Sequence, residues 1–211
     1  MRPVVCMVTD RLRFGDDVER RVVQRVKAAA AAGVDLVQIR ERDMEGRQLA
    51  HLVSRCVEAV TGTRTRVLVN DRLDVALASG AHGVHLRSDS MPADRARAST
   101  PPGFLIGRSV HAVDEAVRVS ASGAVDYLLF GTVFETRSKP GQRAAGPAML
   151  AHVAGATTTP VLAVGGVTSE TLEELAATGA AGFAAIGLFA DAGERDLATI
   201  VSQATRAFQR G

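Results

Sequence analysis

The chain has 211 residues, of which 46% are hydrophobic, and a formal net charge of +2 from 25 basic and 23 acidic residues. No Pro-, Gly- or Ser-rich linker divides it, so we expect a single domain over residues 1–211. The charges are scattered and include no basic block, which argues against nucleic-acid binding. No apolar run approaches the roughly 18 residues of a membrane span or forms a signal-peptide core, so we expect a cytoplasmic protein without membrane contacts.

Short apolar runs alternate with helix-periodic stretches along the whole chain. The predicted strands are 4–9, 35–39, 66–70, 83–86, 104–110, 126–134, 160–164 and 182–189, and the predicted helices include 19–33, 47–60, 112–123, 169–179 and 194–209. Eight such units predict an α/β fold of the (β/α)8 TIM-barrel type. A doubly wound open sheet is the competing interpretation, but it usually carries a glycine-rich turn after its first strand, where this chain has Thr9-Asp10-Arg11.

Four of the predicted strands end on polar or glycine residues, within 37–43, 67–74, 83–89 and 130–141. The carboxyl ends of parallel strands meet at one end of a barrel, so these residues should share one mouth that presents charge to a ligand. This pattern is typical of an enzyme.

Two carboxylates lie at neighbouring predicted strand ends. Asp71 follows the third strand and Asp89 follows the fourth. Mg²⁺ commonly takes one or two protein carboxylates and completes its shell with water and substrate phosphate oxygens, so we expect this pair to bind Mg²⁺. The alternative is that each aspartate caps the helix that follows it.

Cationic and hydroxyl side chains are predicted to face the same mouth. Arg40 and Arg42 alternate at the end of the second strand, so both can point at one anion. Thr136, Ser138 and Lys139 follow the sixth strand and complete a predicted pyrophosphate clamp. The alternative is a solvated charged loop.

A second anion site is predicted at the last two strands. Gly165-Gly166 follows the seventh strand and Gly187 lies near the eighth, where glycines let backbone N–H groups approach a phosphate. We also count Ile186, beside Gly187, among the substrate-binding residues. A Gly-Gly pair also serves plain tight turns, which is the alternative.

One histidine closes the predicted fifth strand. His111 carries an imidazole that can move protons, while Ser109 on the same face can hydrogen-bond a heterocycle. A structural role for His111 is the alternative. His85, inside the fourth strand, is expected to be a partly buried histidine whose hydrogen bonds are satisfied.

Seven motifs in register resemble the thiamine-phosphate synthase and thiazole tautomerase family. They are VQIRER (37–42), VNDRLDVAL (69–77), GVHL (83–86), GRSVH (107–111), DYLLFG (126–131), TRSKP (136–140) and AVGGV (163–167). The resemblance runs from residue 8 to residue 186 and implies a TIM barrel that acts in thiamine biosynthesis on small phosphorylated heterocycles.

The resemblance also implies site residues. The synthases join a pyrimidine diphosphate to a thiazole phosphate with Mg²⁺. The positions that match their pyrophosphate and pyrimidine contacts are Gln38, Arg40, Asn70 and Lys139. Ser109 matches a pyrimidine contact. Asp71 and Asp89 match the metal ligands, Thr136 and Ser138 match the hydroxyl pair, and Gly166 matches the thiazole-phosphate glycine. We expect Arg40, Lys139 and His111 to carry the catalysis.

Some residues depart from the synthase pattern. Synthases usually carry lysine at the position of Arg42, and a Gly-Gln pair at the position of Arg87-Ser88. The segments at 107–111 and 130–136 look more like the tautomerases, in which His111 would carry a proton and no metal is needed. Because Asp71, Asp89 and Gln38 are all present, we favour the synthase. A non-catalytic barrel that binds thiazole phosphate is the third alternative, and the chain is a possible homodimer.

Overall fold

The structure is a computed structural model that describes residues 2–14, 17–136, 141 and 143–210. In this part of the chain, parallel strands and helices alternate. The strands are β1 Val4–Val8, β2 Leu36–Ile39, β3 Arg66–Asn70, β4 Gly83–Leu86, β5 Leu105–Val110, β6 Tyr127–Gly131, β7 Val161–Val164 and β8 Gly182–Ala185. The helices are α1 Val18–Ala32, α2 Gly46–Ala59, α3 Leu73–Ala78, α4 Ala93–Ala98, α5 Val113–Ala121, α6 Gly146–Ala156, α7 Leu172–Ala176, α8 Gly187–Ala190 and α9 Leu197–Arg210.

The strands close into one barrel in chain order. The closing pair is β1 with β8, parallel, with Val4 opposite Gly182 and Met7 opposite Ala185. An open sheet would leave both of these strands as edges. The TIM-barrel prediction is therefore confirmed, and the doubly wound alternative is wrong.

The helices follow from local sequence signals, of which α2 is the clearest example. Its buried residues Leu49, Leu52, Val53 and Cys56 recur at helical spacing and form one apolar face. The Glu45 carboxylate accepts hydrogen bonds from two backbone N–H groups of the first turn, so the helix begins there. Within the described ranges, no helix combines the length and apolar character needed to cross a membrane.

Side chains of each strand alternate between the barrel interior and the layer under the helices. The interior cluster holds Cys6, Val8, Leu36, Leu68, Tyr127, Leu129, Leu162 and Ala184, and the other large cluster packs the barrel against the helices. Residues two positions beyond an interior residue share its face. Gln38 and Asn70, which follow Leu36 and Leu68 in this way, therefore point into the barrel at its carboxyl end.

Two predicted strands are too long. The sixth ends at Gly131 instead of 134, and the eighth ends at Ala185 instead of 189. Residues 187–190 form α8, in which Phe189 is buried and stacks on Phe183. A short apolar run does not distinguish a strand from a buried helical turn, which is why the sequence joined the two.

Candidate functional site

Two amides meet inside the mouth of the barrel. The Gln38 side-chain N–H donates to the Asn70 Oδ1 atom at 2.9 Å. Gln38 is 2% exposed, and its Oε1 atom has no hydrogen-bond partner among the described residues. A buried acceptor without a donor is costly, so this atom calls for a ligand N–H or O–H group.

A buried carboxylate lies between the two predicted arginines. The Thr9 hydroxyl donates to Glu41 Oε1 at 2.5 Å, and the Arg11 backbone N–H donates to Oε2 at 3.1 Å. Burial raises the pKa of the Glu41 carboxyl, and these two bonds oppose the rise. Thr9 also accepts from the Arg40 backbone N–H at 3.0 Å, so this network fixes the chain at the point where Arg40 leaves β2. The sequence analysis missed Glu41 because a glutamate in a charged segment is usually exposed.

Arg40 and Arg42 differ more than strand alternation predicts. Strand β2 ends at Ile39, Arg40 is half-buried, and Arg42 is exposed in a turn. The argument that residues i and i+2 of a strand share a face therefore does not apply to this pair. Arg40 is the arginine that the fold holds at the mouth.

Asp71 and Asp89 share one cation, the guanidinium of Arg87. Arg87 Nη2 lies 2.5 Å from Asp89 Oδ2, and Nη1 lies 3.6 Å from Asp71 Oδ2. The Ser90 hydroxyl donates to Asp71 Oδ1 and accepts from the Arg87 backbone N–H. The two predicted carboxylates are therefore close enough for a single cation to contact both.

Neither aspartate caps a helix. The residue preceding α3 is Arg72 and the residue preceding α4 is Pro92. Asp71 instead adopts a left-handed backbone conformation with φ of 62°, which is uncommon for a residue other than glycine. The capping alternative is therefore wrong. The Asp71 side chain instead contacts Arg87 and Ser90, which lie in the loop after β4.

Arg108 holds the loop that carries Asp89. Its guanidinium donates to the Ser88 carbonyl at 2.8 Å and to the Met91 carbonyl at 2.6 Å. Because Arg108 lies on β5, the loop after β4 is attached to the neighbouring strand. A single sequence offers no signal for this contact, since both acceptors are backbone groups.

Ser109 ends a chain of hydrogen bonds that runs through the barrel interior. His85 Nε2 lies 2.8 Å from the Ser109 hydroxyl, and His85 Nδ1 lies 3.0 Å from the Tyr127 hydroxyl. His85 and Tyr127 are buried, and Ser109 is half-buried. Burial lowers the pKa of the His85 imidazole to about 3, and the nearby Arg108 charge acts in the same direction. The prediction that the hydrogen bonds of His85 are satisfied is confirmed, and the ring is almost completely buried instead of partly buried.

His111 is exposed just beyond the end of β5. Its Nδ1 atom lies 2.7 Å from the Gly131 carbonyl oxygen, and its backbone N–H donates to Glu115 at 2.7 Å. A carbonyl can only accept, so Nδ1 carries a proton and Nε2 is left for another partner. The Gly131 carbonyl of β6 thus orients the His111 ring. This geometry fits a structural role for His111 as well as a role in moving protons.

The predicted phosphate glycines continue two neighbouring strands. Gly165 and Gly166 follow β7 with positive φ of 99° and 66°, and Ile186 and Gly187 follow β8. A β-carbon at Gly166 would lie 2.4 Å from the Glu135 carbonyl oxygen, so only glycine lets this turn lie against the segment after β6. Since β7 and β8 are paired in register, the two strand ends are adjacent.

The clamp predicted after β6 is only partly within the described residues. Thr136 is described and half-buried, next to the segment that contacts Gly166. Ser138 and Lys139 lie outside the described residues. Their assignment to the site stays a prediction from the sequence.

Comparisons with known proteins agree on one family. A family model described as "Thiamine monophosphate synthase" matches residues 5–189. A thiamine-phosphate synthase of Methanoculleus marisnigri is 41% identical over 172 residues, covering 80% of each chain, and one of Chlorobium luteolum is 36% identical over 87% of this chain and 84% of its own.

The solved structures agree in fold. A thiamine phosphate pyrophosphorylase from Pyrococcus furiosus superposes with a TM-score of 0.83 at 27% identity, covering 99% of this chain and 96% of its own. A 3-hexulose-6-phosphate synthase, at 16% identity and a TM-score of 0.70 over 96% of this chain and 99% of its own, shares the fold alone. With the family model spanning most of the barrel and curated relatives above 30% identity, this chain belongs to the thiamine monophosphate synthase family.

Proposed function

We propose that this protein is a thiamine-phosphate synthase, which joins 4-amino-5-hydroxymethyl-2-methylpyrimidine diphosphate to a thiazole phosphate and releases pyrophosphate. In this reaction the bond between the pyrimidine methylene carbon and the diphosphate oxygen breaks, and a bond from that carbon to the thiazole nitrogen forms. Family membership and the curated relatives support the proposal.

The observation that carries the pyrimidine part is the unpartnered Oε1 atom of Gln38. This buried acceptor lies at the mouth beside Asn70, where it can receive an N–H bond from the exocyclic amine of the substrate. Ser109, at the end of β5, supplies a hydroxyl at the same end of the barrel. Together they supply polar contacts that orient the reacting carbon.

Arg40 is our candidate for holding the diphosphate. It is half-buried, its backbone is anchored by Thr9, and a guanidinium binds phosphate oxygens in a bidentate manner. We place Lys139 there as well, on the strength of the sequence motif. Neutralising the leaving group matters because its negative charge grows as the carbon–oxygen bond breaks.

Asp71 and Asp89 are our candidates for holding Mg²⁺. Both carboxylates contact the guanidinium of Arg87, which supports a positive charge at this place in the mouth. Among the described residues, no group of three or more His, Cys, Asp or Glu side chains could hold a metal ion, so water and phosphate oxygens would complete the shell. When bound, the ion would supply positive charge to the diphosphate.

The thiazole phosphate is assigned to the ends of β7 and β8. Gly166 exposes backbone without a side chain, and Ile186 and Gly187 follow the neighbouring strand. This keeps the monophosphate apart from the diphosphate at the ends of β2 to β4. The cytoplasmic location and the homodimer stay predictions of the sequence analysis.

Activity assays with each set of substrates, in the presence and absence of metal, test the proposal. Condensation and thiazole tautomerisation are each assayed with and without Mg²⁺, for the wild type, His111→Asn, Asp71→Asn and Asp89→Asn. We expect Mg²⁺-dependent condensation that persists in His111→Asn and falls about 100-fold or more in each aspartate variant. Asp94→Asn, an exposed position on α4, is the control.

Two other outcomes would overturn the synthase. Metal-independent tautomerisation that is lost in His111→Asn, without condensation in the wild type, would identify a tautomerase. Binding of thiazole phosphate with neither reaction would identify a non-catalytic barrel. Full activity in both aspartate variants would remove the metal assignment alone.

A further inference from the structure

The hydrogen-bond chain from Tyr127 through His85 to Ser109 has a direction that the buried groups decide. Tyr127 is 6% exposed and His85 is 1% exposed. In the part of the chain that the structure describes, His85 Nδ1 is the one recorded hydrogen-bond partner of the Tyr127 hydroxyl. The phenol has one proton to donate, and burial disfavours its ionisation by raising its pKa.

The protonation of the imidazole follows from this single partner. If Nδ1 carried the ring proton, the Tyr127 hydroxyl could only accept and its own proton would be buried without an acceptor, which is unfavourable. With the proton on Nε2, Tyr127 donates to Nδ1, and the one hydroxyl proton without an acceptor in the chain is that of Ser109, which is half-buried instead of buried. A doubly protonated ring would leave the Tyr127 proton without an acceptor in the same way, and burial, followed by the Arg108 charge, also disfavours it, so the imidazole is neutral with one proton.

The direction of the last bond is then set. His85 Nε2–H donates to the Ser109 oxygen at 2.8 Å, so the Ser109 hydroxyl proton is free to point toward the mouth. We propose that Tyr127 and His85 are positioning residues that turn the Ser109 hydroxyl into a hydrogen-bond donor for an acceptor nitrogen of the pyrimidine ring. This inference rests on the proposed function for its ligand, although the direction of the chain does not.

The barrel is shaped around this chain. A β-carbon at Gly107 would lie 2.1 Å from the Tyr127 ring, so the glycine on β5 provides the space that the phenol occupies. The Tyr127 and His85 rings stack with centroids 5.6 Å apart, which holds the phenol beside Nδ1. An aminopyrimidine carries an amine that donates a hydrogen bond next to a ring nitrogen that accepts one. The Ser109 hydroxyl would donate to the ring nitrogen, and the free Gln38 oxygen would accept from the amine.

Nitrogen NMR tests the direction without any substrate. Long-range ¹H–¹⁵N correlations on the full ¹⁵N-labelled protein identify which ring nitrogen of His85 is protonated. We expect a protonated Nε2 and an unprotonated Nδ1. A protonated Nδ1 would overturn the proposal, and this result would leave the proposed synthase activity untouched.

A double-mutant cycle tests the effect on the substrate. Tyr127→Phe and Ser109→Ala should each raise KM for the pyrimidine diphosphate about three- to tenfold with little change in kcat, because a hydrogen bond to an uncharged group binds substrate and transition state alike. In the Ser109→Ala background, Tyr127→Phe should have no further effect. Equal effects of Tyr127→Phe in both backgrounds would mean a merely structural role and overturn the proposal.

Cys6→Ala is the packing control. Cys6 belongs to the same interior cluster as Tyr127 but is not part of the hydrogen-bond chain. We expect it to leave KM within about twofold of the wild type, whereas a rise matching that of Tyr127→Phe would assign both effects to packing. If Tyr127→Phe fails to fold, the NMR result on the wild type still decides the direction.

Discussion

At the scale of single residues, Gln38 and Arg87 are the polar side chains at the mouth of the barrel that bear most directly on ligand binding. Gln38 leaves one buried acceptor unused, whereas Arg87 satisfies two carboxylates that would otherwise repel each other. The unused Gln38 oxygen indicates that a bound ligand would supply a hydrogen-bond donor there. The Arg87 ion pairs indicate a place where positive charge is stabilised. At the position where the sequence departs from the Gly-Gln pair, the Arg87 guanidinium serves as a counterion to both carboxylates.

Arg87→Gln should strengthen metal binding. The guanidinium is half exposed and competes with a divalent cation for Asp71 and Asp89. Exposed ion pairs stabilise by roughly 0.2–1 kcal/mol, so we expect the dissociation constant for Mn²⁺ to fall about 1.4- to fivefold. Electron paramagnetic resonance of free Mn²⁺ measures this directly.

Arg95→Gln is the matched control, because Arg95 is an exposed arginine on α4. It should leave Mn²⁺ binding unchanged. Weaker binding in Arg87→Gln would show that the guanidinium supports the site instead of competing for it. No Mn²⁺ binding in any variant would count against the metal site itself.

At the scale of elements, the end of β2 distinguishes Arg40 from Arg42. The strand stops at Ile39, and the Thr9–Glu41 network then fixes the backbone at Arg40. Arg42 lies beyond this network in an exposed turn. Strand alternation groups the two arginines only if it continues past residue 39, where the predicted strand and β2 both end.

Arg40→Ala should raise KM for the pyrimidine diphosphate about tenfold or more, since it removes charge-assisted bonds to phosphate. The KM for the thiazole phosphate should change less than about twofold, because we place that anion at the ends of β7 and β8. Arg42→Ala is the control and should have a smaller effect on both substrates. Steady-state kinetics with each substrate varied in turn provide the test, and equal losses for both substrates would contradict the two-pocket arrangement.

The element predicted least well is the eighth strand. Residues 182–189 are apolar throughout, so the sequence predicts one long strand, yet α8 begins at Gly187. Phe189 is buried whether this segment forms a strand or a helix, so the apolar pattern of the sequence is the same for both. Only the closed barrel, with Ala185 opposite Met7 at the end of β8, decides where the strand stops.

At the scale of the whole molecule, folding buries the Glu41 carboxylate against the segment that follows β1. Glu41 is 5% exposed, and burial raises its pKa above the ordinary value of 4.5. The folded protein therefore binds the proton more tightly than the unfolded chain does. The resulting contribution to stability is present at low pH and is lost as the pH rises from 4.5 through the folded pKa.

Glu41→Gln should remove this pH dependence while keeping an acceptor for Thr9. We expect the free energy of unfolding of the wild type, relative to Glu41→Gln, to fall as the pH rises above 4.5. Urea unfolding of both proteins at a series of pH values gives this difference. A rise in this difference would instead mean that the hydrogen bonds from Thr9 and Arg11 outweigh burial.

The sequence by itself determined the eight strand–helix units and the polar strand ends, because both are local patterns with periods of two and of three to four residues. It also determined the family, through motifs at 37–42, 69–77 and 107–111 that lie in order. Asp71 and Asp89 were chosen as neighbours only because the barrel was assumed, and the shared contact with Arg87 supports that choice.

Only the tertiary structure decided which groups face each other across the barrel. Thr9 meets Glu41 across 32 positions, and His85 meets Tyr127 across 42, so no local pattern connects them. Their meeting depends on strand register and on closure of β1 against β8, which are set by packing of the whole core. The burial of Glu41 and the direction of the hydroxyl at Ser109 follow from those long-range contacts.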